Sequence, residues 1–344
     1  MKKIFVNIGF GIFGFIVVIL IVGVTYESLG RRNAAKNFPP PGKLVDIGGR
    51  HIQLDCRGSG SPTVVFQSGL DSTGSLSWSA VHDEIAKTTR ACAYSRAGIM
   101  WSEPHEAPEL AKSIAEDLHA ALKNSGEVDP LVLVGHSLGG PYNMVYMKYF
   151  GAEVAGLVFV DTSHPDQISR GRAMEALESD SAKAKWQSEK KWEEFLDKSG
   201  AALNWTGIVR LNSAMDEKEG SRTESNDLAK QAYASTSLGP VLKEDDALEQ
   251  TLNEAGTFRD LGDRPIVVLT AVPPVPKQEL STFEKAAREN WLWMQEDQAK
   301  WSSQSQHKLV HDTGHYIQRD QPAVVIDAVR TVISTVREKK PAQM

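Results

Sequence analysis

Five residues near the middle of the chain, Gly135-His136-Ser137-Leu138-Gly139, have the types and spacing of a nucleophile site. The apolar run Leu131 to Val134 precedes them, and helix-forming residues from Leu138 to Tyr149 follow. A strand that turns sharply into a helix strains its turn residue, so neighbours without bulk are needed, and Gly135 and Gly139 supply the room. Ser137 Oγ then projects above the sheet edge. The Leu138 N–H lies at a helix N-terminus, where donors are free and negative charge is favoured. This is the chemistry of acyl transfer, in which a serine attacks a carbonyl, an imidazole takes its proton and a carboxylate holds the imidazolium. A serine merely capping a strand–helix turn is the blander alternative. Nine histidines are available. His315 follows a glycine in the loop after the last apolar run, at the edge that presents Ser137. His164, just after the sixth strand, is a second candidate. His136 adjoins the serine but is wrongly aimed for a base, and His311 reads as structural.

The elements that must position these groups recur as short apolar runs. Lys43 to Ile47 and His51 to Cys56 form a hairpin turning at Gly48-Gly49. Strands follow at Thr63–Phe66, Arg90–Tyr94, Leu131–Val134, Leu157–Val160, Pro265–Leu269 and His307–Val310. Between them lie helical patterns at Glu109–Lys123, Leu138–Tyr149, Ser281–Trp301 and Pro322–Val336, the third opened by the capping box Ser281-Thr282-Phe283-Glu284. Such alternation implies an α/β fold with a mostly parallel central sheet flanked by helices. Residues 165–262 break the rhythm. They are polar, strandless and helical, with Trp186, Trp192, Phe195 and Trp205 spaced through them, and read as a helical cap over the carboxyl edge of the sheet; plain surface elaboration is the alternative.

Beyond the motif, residues 43–336 resemble the α/β-hydrolase family, serine esterases and lipases among them. Phe66-Gln67-Ser68-Gly69-Leu70 matches the family's oxyanion loop, which implies Leu70 N–H as the second oxyanion donor beside Leu138 N–H. Tyr94-Ser95-Arg96-Ala97-Gly98-Ile99-Met100-Trp101-Ser102 is similar to the family's D-R-x-G-x-G-x-S loop, with Ser95 in place of the Asp and Met100 in place of the second Gly. Gly314-His315 with Gln321-Pro322 resembles the segment that carries the catalytic histidine. The acid is a departure. The family usually places it after the seventh strand, where this chain has Thr270 to Glu279 with three prolines and no Asp. Asp161, ending the sixth strand beside the nucleophile strand, is the preferred acid, since some members use that place; Glu279 is the alternative acid, Asp312 a further one, and an Asx turn the structural reading of Asp161. The family's sheet order sets the second strand antiparallel beside the fourth, which brings Cys56 to Cys92 and implies a disulfide.

The resemblance implies a serine hydrolase cleaving a carboxylic ester, a small molecule with an apolar acyl or alcohol group suited to the aromatic cap. Amidase or peptidase, thioesterase, lactonase and cofactor-free haloperoxidase chemistry share the triad. Epoxide hydrolases and haloalkane dehalogenases need a carboxylate where Ser137 stands. A membrane-tethered binding protein with an inactive hydrolase fold is the alternative of another class. No cofactor is required, and no metal-type Cys/His spacing is present. The composition, 41% hydrophobic and 24% charged with net charge −6 and no basic stripe, excludes nucleic acid as a partner. Ile4 to Val24 is apolar or Gly apart from Asn7. Those residues would span ~30 Å as a helix, enough to cross a bilayer. We expect residues 1–30 to be an uncleaved anchor to the lipid bilayer, a cleaved signal being the alternative. Residues 31–42, with Pro39-Pro40-Pro41, read as a stiff linker, 43–164 and 263–340 as the hydrolase core, and the catalytic domain as lying outside the cytoplasm.

Overall fold

A computed structural model describes residues 2–105, 110–127, 130–175, 180–215, 225–275 and 280–339. Eight strands form one sheet: β1 Lys43–Asp46, β2 His51–Arg57, β3 Thr63–Gln67, β4 Ala91–Tyr94, β5 Leu131–His136, β6 Val154–Val160, β7 Pro265–Val272 and β8 Gln304–His311. Their order is β1-β2-β4-β3-β5-β6-β7-β8, with β2 antiparallel to both neighbours and all later pairs parallel. β3, β4 and β5 are buried along their whole lengths, as strands covered on both faces must be, and Val64–Phe66, Ala91–Tyr94 and Leu131–Val134 are apolar runs for that reason.

The twelve α-helices among the described residues are α1 Lys2–Asn37, α2 Ser79–Ala86, α3 Ala111–Ser125, α4 Gly139–Phe150, α5 Gln167–Glu175, α6 Asp180–Ala202, α7 Ile208–Met215, α8 Ser225–Asp246, α9 Leu248–Ala255, α10 Thr282–Gln298, α11 Ile317–Asp320 and α12 Pro322–Lys339. One face of the sheet packs on α3, α4 and α9 through Leu118, Leu122, Tyr142, Val145 and Leu252. The other packs on α2 and α12 through Val81, Ile85, Val325, Val329 and Val332. This is the α/β-hydrolase architecture expected from the sequence. The predicted box at Ser281 caps α10: Ser281 Oγ accepts the Glu284 N–H, and Glu284 accepts the Ser281 N–H.

Between β6 and β7 the described residues form helices α5 to α9 and no strand. α8 crosses the loop at the carboxyl end of β4. There Pro240 meets Gly98, Ser237 Oγ accepts the Met100 N–H at 2.9 Å, and Glu244 meets Arg96. One expectation needs correction. Residues 31–37, read as linker, continue α1, because Arg31 pairs with Glu27 one turn back and Ala34 is buried. Only the prolines at 39–41 force the chain out of the helix. The structure joins Cys56 to Cys92 by a disulfide, at directly opposed positions of β2 and β4.

Candidate active site

β5 ends at His136, and Ser137 follows with φ 53°, in the left-handed region. Its N–H donates to Val160 O at 3.3 Å, and its carbonyl accepts the N–H groups of Gly140 at 3.1 Å and Ser163 at 2.9 Å. A Cβ on Gly135 would lie 2.7 Å from the Gly139 carbonyl carbon, and one on Gly139 2.4 Å from Gln67 O, so the turn closes only with glycine at both places. The serine is half-buried. Among the described residues its Oγ has no hydrogen-bond partner.

Beside β5 runs β6 in parallel register, with His136 opposite Val160. Asp161 comes next, with φ 46° and 3% exposure. Its Oδ1 accepts Ala271 N–H at 2.9 Å and Trp291 Nε1–H at 2.9 Å. Its Oδ2 lies 2.6 Å from Nδ1 of His315, in the loop between β8 and α11. A carboxylate oxygen accepts, so the tautomer that fits this contact carries its proton on Nδ1 and leaves Nε2 as the nitrogen that can take a proton. The His315 side chain is 41% exposed. Its backbone carbonyl accepts from His136 Nε2 at 2.9 Å. Burial, and then the neighbouring His315, pushes the His136 pKa down to about 3, so this second imidazole stays neutral and serves as a fixed donor.

The loop after β3 passes directly beside the serine: a Cβ on Gly69 would be 2.8 Å from Ser137 Cβ. Among the described residues the N–H groups of Leu70 and Leu138 have no acceptor. Arg96 grips the loop, Nη1 donating to Ser68 O at 2.8 Å and Ser68 Oγ at 2.9 Å, and Nη2 to Gly69 O at 2.7 Å. Glu244 of α8 takes the other edge of the guanidinium at 2.7 and 2.8 Å, and both side chains are buried. Burial pushes the Glu244 carboxyl up and the guanidinium opposes it, while Arg96 stays charged. Ser95, where the family pattern has Asp, donates to Gln53 Oε1 at 2.8 Å and accepts Ser75 N–H at 3.2 Å. Met100, where it has Gly, adopts the left-handed φ of 52° that a glycine takes freely.

Of the residues singled out in the sequence, Ser137, His315, Asp161, Leu138 and Leu70 therefore sit around one edge of the sheet. His164 stands apart from that role. It is buried, its Nε2 is 3.2 Å from Asp297, its Nδ1 accepts Asp166 N–H, and burial lowers its pKa. His311 is exposed on β8, and Asp312 is exposed and makes no bond to His315. Glu279 lies outside the described residues. Sequence reasoning missed Trp291, His136 as a donor, and Glu244. Arg96 stood in a recognisable loop, but its partner is 148 residues away and carries no local signal.

A model of the Alpha/beta hydrolase family matches residues 48–328. The chain is similar in structure to an esterase from Thermogutta terrifontis, with TM-score 0.55 and 18% identity over 86% of this chain and 98% of that one. It is also similar to a haloalkane dehalogenase, DbeA, from Bradyrhizobium elkanii, with TM-score 0.60 and 18% identity over 86% and 97%. At that identity the likeness is one of fold. Among curated proteins, a probable transporter, efuK, of Hormonema carpetanum is 32% identical over 128 residues, 35% of this chain and 18% of that protein. The chain spans less than half the length of the curated relatives it matches.

Proposed function

The chain belongs to the alpha/beta hydrolase family, and on that premise we propose that it cleaves carboxylic esters through an acyl-enzyme on Ser137. The observation that carries the reading is the 2.6 Å contact of buried Asp161 with His315 Nδ1, on the strand next to a serine at the elbow. Ser137 Oγ attacks the ester carbonyl carbon and its proton passes to His315 Nε2. The carbonyl oxygen becomes an oxyanion bound by the N–H groups of Leu138 and Leu70, neither of which has another acceptor among the described residues. Asp161 stabilises the imidazolium. Collapse of the intermediate breaks the ester C–O bond, and the alcohol leaves with the proton from His315. Water, deprotonated by His315, then attacks the acyl-enzyme and frees the acid and Ser137. Ser137 Oγ has no hydrogen-bond partner among the described residues, and its contact with His315 Nε2 tightens in the complex with substrate.

A serine at this position sets the chain apart from chemistry that needs a carboxylate nucleophile there. Helix α1, whose apolar stretch is almost wholly exposed, supports attachment to a bilayer, and the Cys56–Cys92 bond supports a catalytic domain outside the cytoplasm. A fluorophosphonate probe followed by p-nitrophenyl esters of graded acyl length, run beside amides and lactones, tests the proposal. Labelling of Ser137 with turnover of esters is expected; no labelling of folded protein would leave an inactive binding fold.

A further inference from the structure

The apolar run of α1 ends at Val24, and the helix continues through Asn37. If α1 crosses a bilayer, its last thirteen residues stand ~20 Å clear of the hydrocarbon at the helical rise. The helices between β6 and β7 are docked on that stretch. A Cβ on Gly23 would lie 2.2 Å from Thr206 O, and one on Gly207 2.9 Å from Gly23 O and from Tyr26 Cδ1. Glu27, 2% exposed, receives Arg210 Nε at 2.8 Å, Arg210 Nη2 at 3.3 Å, Ser235 Oγ at 2.8 Å and Arg31 Nε at 2.7 Å. Side chains of α1, α7 and α8 thus share one buried polar knot, which fixes α7 and the turn before it at the level of residues 23–30 of α1.

That level is where the apolar run stops. At the same level the protein exposes Trp205, Ile208 and Leu211, between 48% and 52%, with Leu203 and Tyr26 beside them. Arg31, seven residues past Val24 and ~10 Å farther along the helix, falls at the height of lipid headgroups. Tryptophan and aliphatic residues at the hydrocarbon edge with arginine just outside are what a membrane interface selects.

We infer that the surface of Trp205, Ile208 and Leu211 lies in the interfacial layer of the same leaflet that α1 leaves, and that its partner is the phospholipid bilayer. The inference rests on reading α1 as a membrane span. It follows that an ester dissolved in the bilayer meets the helices over the active site by lateral diffusion, without crossing water.

The test uses the full chain in phospholipid vesicles. Both cysteines of the sequence are in the disulfide, so one introduced thiol takes a nitroxide label selectively. Labels at Val18→Cys, Ile208→Cys, Leu211→Cys and Leu309→Cys are compared for relaxation by oxygen and by a water-soluble nickel chelate. Leu309 is exposed on β8 and serves as the aqueous reference. The oxygen-to-nickel ratio should be highest at 18, severalfold above the reference at 208 and 211, and lowest at 309. A high ratio at 18 with reference values at 208 and 211 overturns the seated surface and leaves the anchor standing. An aqueous value at 18 removes the anchor and the surface together. Shielding of 208 from both agents, with dipolar broadening between labels, makes the face a contact between copies and overturns the inference.

Discussion

At the carboxyl end of β5 the chain turns through Ser137 at φ 53°, and one strand over, at the end of β6, it turns through Asp161 at φ 46°. The backbone device is the same. A left-handed residue costs about 1–2 kcal/mol and directs its side chain out of the strand's path. The surroundings are opposite. Ser137 is half-buried with a hydroxyl that has no partner among the described residues, whereas Asp161 is buried and its two oxygens take donors from β7, α10 and the His315 loop. A nucleophile must be free to meet a substrate; an orienting carboxylate must not move at all. Helix α10 puts Trp291 Nε1 on Asp161 at 2.9 Å, one of the donors that hold this carboxylate in place.

Ser137→Ala breaks the comparison at its exposed end. Hydrolysis should fall on the order of 10⁴–10⁶ in kcat with the fold unchanged, since residues acting as one unit fail together. Ester turnover by protein free of contaminating esterase checks this, and activity within tenfold of wild type would take Ser137 out of the mechanism.

Asp161→Asn attacks the buried end. The amide keeps the shape but can hold the wrong imidazole tautomer and cannot stabilise the imidazolium, for which the loss is on the order of 10⁴ in kcat. Glu279→Gln, the same change in the alternative acid, should do little. Steady-state kinetics of the pair at neutral pH separates them, and a crippled Glu279→Gln beside a nearly normal Asp161→Asn would reverse the assignment.

Glu244→Gln sharpens the comparison by testing how the oxyanion side is held. It leaves the Arg96 guanidinium buried without its charge partner, which loosens the grip on Ser68 and Gly69. Full loss of one oxyanion donor costs about 10²–10³ in kcat, so a displaced Leu70 N–H should cost up to ~100-fold. The expected signature is a lower kcat at a nearly unchanged KM, with fluorophosphonate labelling slowed but retained. Unchanged kcat in folded protein would make the pair structural only.

How far the molecule can be read from sequence follows from the range of each interaction. The strands and the turn at Ser137 are set by neighbouring residues, and their order was legible. Asp161 stood out as a carboxylate at a strand end. The contacts that hold these groups are not local: Glu244 reaches Arg96 across 148 residues and Trp291 reaches Asp161 across 130, and neither leaves a pattern in the chain near its partner. The continuation of α1 was hidden for a related reason. Gly23, Glu27, Gly30 and Ala34 share a helix face, but that spacing reads equally as part of an anchor until α7 and α8 are seen against it.

Met100 is a case where the departure was legible and its compensation was not. A methionine at φ 52° should be worse than the family's glycine by about 1–2 kcal/mol. The side chain is 4% exposed, packed with Ile99 and Ala229 and flanked by Phe38, Tyr233 and Val241 of the α1 exit and α8. Burying it is worth about 1.5–3 kcal/mol. A glycine there would add about 0.5–1 kcal/mol of chain entropy to be lost on folding. Packing outweighs strain, so Met100→Gly should destabilise the protein by about 1 kcal/mol, despite restoring the family residue. Its N–H still reaches Ser237, and kcat should stay within about twofold, a change too small to implicate the oxyanion donors. Denaturant unfolding of wild type and variant side by side measures the sign. A more stable variant would mean that strain at this turn dominates, and that the contact between Met100 and α8 contributes little to holding the helix over the loop.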